Sequence, residues 1–292
     1  MTQKIYLTGC TGEIGSRLTS ILLKQGYEVF GIRGSKECSI KNPRHTCRVV
    51  NLLDPTESLG IHEIQPDVLV HTAWLTTPKE FWESGRNTEW VEASKRIINE
   101  FTLSGGRYLV VTGSCAEYSW NTSEPLSENS VELPTSAYGR AKLELLNWIR
   151  GTDLSFLWTR TFFQFGMNEP VGRLIPDIID SLHCTDEFIV QSGSDVRDFV
   201  YVEDVSTILA YLISNEQTGV VNIGNGTAIE IETLTRLIAE MLNRTESLKF
   251  KKTEISKSYV VSDSAKLRSI IGNFLWTPLK MALTETIEAR TR

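Results

Sequence analysis

The stretch KIYLTGCTGEIGSRLTSILL runs from a short apolar segment through three glycines into an amphipathic helix without a break. Ile14, Leu18, Ile21 and Leu22 recur at helical spacing, so the glycines feed a helix with one buried face. Gly9, Gly12 and Gly15 leave backbone N–H groups and the positive helix end open to an anion, with no Cβ in the way. YEVFGI then supplies a second strand ending near Ile32, which completes a βαβ unit. Such a unit constrains the fold strongly, because parallel strands need helical crossovers and must be covered on both faces.

The runs CRVVNLL, DVLVHTA and RYLVVTG continue the alternation of short β-branched segments with helix-compatible ones. The predicted fold class is therefore α/β: a Rossmann-type doubly wound parallel sheet with a smaller C-terminal α/β substrate-binding lobe. Residues 1–165 read as the dinucleotide-binding domain. From Gly166 the pattern loosens into GMNEPVGRLIPDII, so 166–292 read mainly as the second lobe, with 198–224 returning to the first. Repeats and flexible linkers are absent from the sequence, which predicts packed lobes with a ligand cleft between them.

At 292 residues, 41% hydrophobic and 23% charged, the chain can bury a sizeable core. A net charge of -6 without a basic block argues against nucleic-acid and anionic-membrane partners, while leaving room for a phosphate-sized basic pocket. The sequence shows neither a signal-like N-terminus nor an apolar run of bilayer length, which predicts a cytoplasmic protein. Cys10, Cys38, Cys47, Cys115 and Cys184 form no CxxC motif and no Cys/His cluster along the sequence. Reduced thiols are expected, with no metal and no disulfide framework.

Four features carry chemistry. The glycine spacing is GxxGxxG, which suits a dinucleotide diphosphate but also an ordinary strand-to-helix turn. At the end of the second strand, where NAD-binding units carry an acid for the ribose hydroxyls, VFGIRGS has Arg33. A guanidinium there suits the 2′-phosphate of NADP, or is simply a solvated surface arginine. In SAYGRAKLELLNWI, Tyr138 and Lys142 lie one helical turn apart, away from the face formed by Ala141, Leu145, Trp148 and Ile149. An ammonium near a phenol favours phenolate and so tunes a general acid/base. Ser114, at the end of VVTGSCAEY, is placed to bind a carbonyl or alcohol oxygen, or to cap the next loop.

The ordered set TGCTGEIG, NLLD, PDVLVHTAW, GSCAEY, YGRAK, VRDFVYVEDV, VVNIGNG and SDSAKLRSIIG…WTPL resembles the extended short-chain dehydrogenase/reductase family of nucleotide-sugar epimerases, dehydratases and ketoreductases. The resemblance runs nearly end to end. It implies a catalytic set of Ser114, Tyr138 and Lys142. It implies cofactor contacts from Gly9, Thr11, Gly12, Glu13, Ile14, Gly15, Arg33, Leu53, Asp54, Thr72, Ala73 and Trp74, with Tyr138 and Lys142 contributing again. On the substrate side it points to Ser114, Cys115, Phe163, Arg173 and Arg197, the last on the diphosphate of a nucleotide sugar. Arg33 stands where NAD-bound epimerases carry Asp, which favours NADP over NAD.

Departures from the family pattern narrow the chemistry. Dehydratases place Asp and Glu directly after the catalytic hydroxyl, whereas this chain has Cys115 and Ala116, which disfavours a 4,6-dehydratase. Trp90 and Phe163 replace asparagines of the pattern, so an atypical substrate site is expected. Trp74 and Trp120 are placed either to stack on a base or sugar or to pack in the core. The resemblance thus implies an NADPH-dependent reductase of a nucleotide-diphosphate-linked 4-keto-6-deoxyhexose. The alternatives are a nucleotide-sugar 4-epimerase with tightly held NAD and a non-catalytic dinucleotide sensor, against which the Tyr/Lys pair counts. It further implies a homodimer formed through two helices that flank the sheet, one of them bearing Tyr138.

Overall fold

The computed structural model describes residues 2–78, 80–184, 188–190, 193–250 and 258–291. Seven parallel strands form its main sheet. Six of them are β1 (Lys4–Thr8), β2 (Glu28–Arg33), β3 (His45–Val49), β4 (Val68–His71), β5 (Tyr108–Ser114) and β6 (Ser155–Thr161), and Gly219–Ile223 is the seventh. Their spatial order is Gly219–Ile223, β6, β5, β4, β1, β2, β3. The order reverses direction between β1 and β4, which pair in register from Ile5 with Val68 to Thr8 with His71. This is the Rossmann-type doubly wound arrangement, and ligands of such sheets bind where the strand order reverses.

Alternation along the strands explains why both faces are covered. Ile5 and Leu7 of β1 point to one side, where they join Leu18 and Leu22 of the Glu13–Lys24 helix and Val205, Ile208 and Leu209 of the Val202–Ser214 helix. Tyr6, Leu69, Leu109 and Val111 point to the other side, against Val91, Ile97 and Phe101 of the Arg86–Leu103 helix and Leu145, Leu146 and Ile149 of the Ala137–Arg150 helix. A third cluster lies apart from the sheet. In it, Ile175, Ile178 and Leu182 of the Leu174–Cys184 helix meet Leu234 and Ile238 of Ile231–Met241 and Leu283 of Leu279–Thr291. Among the described residues, no helix is long and apolar enough to cross a membrane.

The reading of the cysteines needs correction. Cys10, Cys38, Cys47 and Cys115 are free, and the Cys184 side chain lies outside the described ones. Yet the donor atoms of Cys38, His45 and Cys47 lie within 4.8 Å of one another, so a Cys/His cluster exists in space. Sequence spacing hid it because the residues after β2 fold back onto β3, and no short-range motif records that fold.

Candidate active site

Because the strands are parallel, β1 to β5 all deliver their carboxyl ends to the same edge of the sheet. The turn holding Gly9, Thr11 and Gly12 leaves β1 there, and Glu13, Ile14 and Gly15 begin the helix that follows. Gly9 has φ +74°, and a Cβ on it would sit 2.8 Å from Thr72 Oγ1. A Cβ on Gly15 would lie 2.1 Å from the Gly9 carbonyl oxygen, so only glycine lets the helix start this close to the turn. Gly12 is the N-cap and offers no side-chain cap, leaving first-turn N–H groups free for an anion. This cradle fits a dinucleotide diphosphate.

The other expected cofactor positions line the same edge. Arg33 ends β2, and its Nη1 donates to the carbonyls of Gly34 at 3.2 Å and Lys36 at 3.1 Å. The guanidinium thus shapes the turn after β2 while its remaining donors stay available. Leu53 and Asp54 follow β3. The exposed Asp54 carboxylate accepts from Thr56 N at 2.8 Å and Thr56 Oγ1 at 2.7 Å, and these bonds hold its pKa below the usual carboxylate value. Thr72, Ala73 and Trp74 follow β4, with Thr72 Oγ1 donating to the Thr8 carbonyl at 2.7 Å. Beneath them, His71 contacts Thr8 Oγ1 and Ser94 Oγ, each at 2.8 Å. Burial drives its pKa down to about 3, so it is a neutral strut between strands and helix.

Ser114 ends β5 and caps the short turn Cys115–Glu117. Its Oγ accepts from Ala116 N at 3.1 Å, while the Glu117 carboxylate accepts from Ser114 N at 2.7 Å. This reciprocal cap holds the serine backbone rigidly. Glu117 also accepts from Trp158 Nε1 at 3.0 Å and from Arg160 Nε at 2.6 Å, and both members of this ion pair are fully buried. Arg160 bonds Glu132 as well and covers the Tyr118 ring at 4.3 Å. Glu117 and Arg160 were not singled out by the sequence reading, because a charged pair inside a sheet edge leaves no periodic signature.

Ser136 caps the Ala137–Arg150 helix through its Oγ, which accepts from Gly139 N at 3.0 Å. A Cβ on Gly139 would lie 2.2 Å from the Ala116 carbonyl oxygen. That close approach presses the helix onto the turn after Ser114 and brings Tyr138 near the Ser114 side chain. Phe81 and Trp82 meet the tyrosine ring edge-on at 5.1 and 5.8 Å. Burial raises the phenol above its ordinary pKa, with the Ser114 hydroxyl pulling it partly back.

Lys142 is almost completely buried one turn on. Its Nζ donates to the Thr112 carbonyl at 2.9 Å and sits 3.7 Å from the Trp74 ring centroid, compared with 5.9 Å for the Tyr138 ring. The sequence-based expectation that this ammonium lowers the phenol pKa is therefore corrected. Desolvation outweighs it, and the same burial pushes Lys142 itself down to about 7, with Glu117 opposing. Trp74, one of the expected cofactor contacts, packs over Lys142 and donates from Nε1 to Asn87 Oδ1 at 2.9 Å.

The sign of the lysine effect gives a prediction. Between about pH 7 and the ordinary lysine value of 10.5 the unfolded chain binds the Lys142 proton and the folded chain does not. Stability therefore gains a rising contribution across this window, roughly a few kcal/mol in total. Denaturant unfolding at pH 7 and pH 9 should show a smaller rise for Lys142→Met than for wild type. Equal rises in the two proteins would rule out a depressed lysine.

The expected substrate residues are brought toward this edge to different degrees. Cys115 is buried beside Ser114, and burial pushes its thiol up to about 12, so it is inert as a nucleophile. Arg197 is also buried: it donates to the Val196 carbonyl at 2.9 Å and the Ser258 carbonyl at 3.2 Å, and pairs with Asp195 at 3.1 Å. Trp120 and Phe163 flank it at 5.4 and 5.1 Å, so Phe163 packs on the guanidinium where an asparagine amide was expected. Arg173 lies over Phe81 at 4.4 Å. A cavity of about 210 Å³ beside Tyr138 is lined by Trp82, Glu83, Ala116, Trp120, Thr135 and Ser136. Phe81 and Trp82 were missed by the sequence reading, since aromatic residues in a loop look no different from packing residues.

Residues 5–224 match the sequence model of the NAD dependent epimerase/dehydratase family. The chain belongs to that family. Its members include NAD-dependent epimerases and dehydratases of the extended short-chain dehydrogenase type. The UDP-glucose 4-epimerase of Rhizobium leguminosarum bv. trifolii is 24% identical over 313 residues, covering 94% of this chain and 93% of the relative. The structure of TunA, described as an NAD dependent NDP-hexosamine 5,6-dehydratase involved in tunicamycin biosynthesis, superposes with a TM-score of 0.85 at 21% identity, covering 100% of this chain and 99% of its own. WbmG of Bordetella bronchiseptica, solved in complex with NAD, gives a TM-score of 0.85 at 18% identity, covering 100% and 94%. At these identities the two structures establish the shared fold.

Proposed function

We propose that this family member is an NADPH-dependent reductase of a nucleotide-linked keto sugar of the 4-keto-6-deoxyhexose type. The observation that carries this reading is Arg33, a guanidinium at the carboxyl end of β2 where a carboxylate would select the ribose hydroxyls of NAD. Lys36 in the same turn adds positive charge for a 2′-phosphate. We take residues 1–165 with 198–224 as the cofactor half and the remainder mainly as the substrate lobe. As in the resemblance, a homodimer through the helices flanking the sheet is our expectation.

The glycine turn holds the cofactor diphosphate, and the nicotinamide, when bound, supplies the hydride. Tyr138 holds a proton on its phenol oxygen throughout the neutral range, because burial raises its pKa. That is the form required to protonate a ketone oxygen as it becomes an alcohol. Ser114, fixed by its reciprocal cap with Glu117, donates a hydrogen bond to the same oxygen. Lys142, with Nζ held between the Thr112 carbonyl and the Trp74 ring, is the side chain that would bind the nicotinamide ribose. Arg197, with Trp120 and Phe163 against it, takes the substrate diphosphate.

The UDP-glucose 4-epimerase relative and the NAD complex of WbmG favour a second reading, epimerisation at C4 with tightly held NAD. One assay separates the two: purified protein with NADPH or NADH and nucleotide 4-keto-6-deoxy sugars, following cofactor absorbance and sugar product. Stoichiometric NADPH loss with an alcohol product is expected. Arg33→Ala should raise KM for NADPH by about 10–100-fold, the worth of one charge-assisted contact, and leave the NADH value nearly unchanged. Interconversion of a nucleotide hexose with its C4 epimer without external cofactor would replace the reductase with the epimerase.

A further inference from the structure

We propose that Cys38, His45 and Cys47 form a three-donor site for a thiophilic divalent cation of the Zn2+ type, with Cys10 beside Cys47 at the edge of the group. Cys10 sits inside the glycine turn after β1, Cys38 in the connection after β2, and His45 and Cys47 two residues apart on β3 and therefore on one face of that strand. Cys38 Sγ lies 3.3 Å from His45 Nε2, and Cys10 Sγ lies 3.6 Å from Cys47 Sγ. A tetrahedral zinc ion with bonds of about 2.3 Å to sulfur and 2.0–2.1 Å to nitrogen holds its donors roughly 3.5–3.8 Å apart. The Cys38–His45 separation and the common 4.8 Å span of Cys38, His45 and Cys47 come close to one face of that tetrahedron, while Cys10 lies outside that span.

The surroundings supply what a metal site needs besides donors. His45 Nδ1 lies 3.0 Å from the Val29 carbonyl oxygen. Donation to that carbonyl fixes the tautomer and leaves the Nε2 lone pair facing Cys38, the arrangement by which metal-bound imidazoles are oriented. Gly31 makes the room: a Cβ there would lie 2.8 Å from both Cys10 Sγ and His45 Cε1. Cys38, His45 and Cys47 are only half-buried, so an ion has a way in. A Cys10–Cys47 disulfide would use one of the three donors and leave the orientation of His45 without a role.

The ion would act on the cofactor side of the molecule. Cys10 N donates to the Ile32 carbonyl at 3.2 Å, directly before Arg33, and β3 is the outermost strand on this side of the sheet. A bound cation would staple the connection after β2 to the edge strand, beside the phosphate turn. The site does not depend on which substrate the enzyme takes.

The test uses the full chain, purified under reductant without chelator and titrated with Co2+. We expect one equivalent per chain, with thiolate-to-cobalt charge transfer, the intense visible bands of a tetrahedral centre, and displacement by Zn2+. Cys38→Ser and His45→Gln, checked for folding by circular dichroism, should weaken binding by about a hundredfold or more. A weak octahedral cobalt spectrum in wild type would overturn the proposal, whatever the variants do. Undiminished affinity in both folded variants would overturn it too, as would a Cys10–Cys47 disulfide that forms in place of metal binding.

Discussion

Tyr138→Phe should lower turnover by about 10²–10⁴-fold while leaving cofactor affinity within a few-fold of wild type. The two effects separate because the ring supplies packing and only its oxygen supplies the proton. Phe81 and Trp82 grip the tyrosine ring at 5.1 and 5.8 Å, and phenylalanine preserves those contacts. The Ser114 hydroxyl lies close enough to draw the phenol pKa partly back, and a reacting carbonyl would be shared between the two hydroxyls. Single-turnover kinetics should show the loss in the chemical step. Turnover within a few-fold of wild type would remove Tyr138 as proton donor, and with it the mechanism given above. A loss of folding is not expected, since the Ala137–Arg150 helix is anchored by Leu145, Leu146 and Ile149 and capped by Ser136.

Arg160→Met should be the most destabilising of the substitutions considered. The guanidinium is fully buried and is the partner of an equally buried Glu117 carboxylate at 2.6 Å. Removing one member strands the other, at a cost of about 3–5 kcal/mol. For a chain of this size that is a fall in Tm on the order of 10 °C. Catalysis should suffer as well, because the same Glu117 carboxylate holds the Ser114 backbone at 2.7 Å. Burial already pushes the Glu117 pKa upward against the pull of Arg160. Once unpaired, Glu117 should therefore bind a proton more readily, and part of the lost stability should return as pH falls. Glu117→Gln combined with Arg160→Met should melt above Arg160→Met alone, since the stranded charge is gone. Melting of Arg160→Met within about 1 °C of wild type would show that the pair contributes no net stability.

How far the chain could be read before its fold was known depended on the range of each signal. Periodicity and glycine spacing are local, so the strands, the phosphate turn and the helix bearing Tyr138 and Lys142 were legible from KIYLTGCTGEIG and SAYGRAKLELL. The family followed from the order of such motifs. Arg33 was legible as a position. Its bonds to the Gly34 and Lys36 carbonyls were not, because they depend on the turn that it closes. The expected effect of Lys142 on Tyr138 went wrong for a related reason. Helical spacing states that two side chains are neighbours, but not that Trp74 and the Thr112 carbonyl take up the ammonium.

By itself, then, the sequence determined the doubly wound α/β class and the glycine turn that opens its first helix, and it marked Ser114, Tyr138 and Lys142 as candidates. The glycine turn and the Tyr138/Lys142 pair are encoded in residues a few positions apart, through hydrogen bonds and apolar faces that form along the chain. Only the tertiary structure decided which distant residues share a site. It buried Glu117 with Arg160 under Ser114, closed Phe81 and Trp82 over Tyr138, and gathered Cys10, Cys38, His45 and Cys47 around Gly31. Those contacts join neighbouring strands and the loops that connect them. They exist because parallel pairing carries the chain across the sheet and back, and this long-range return leaves no period in the sequence.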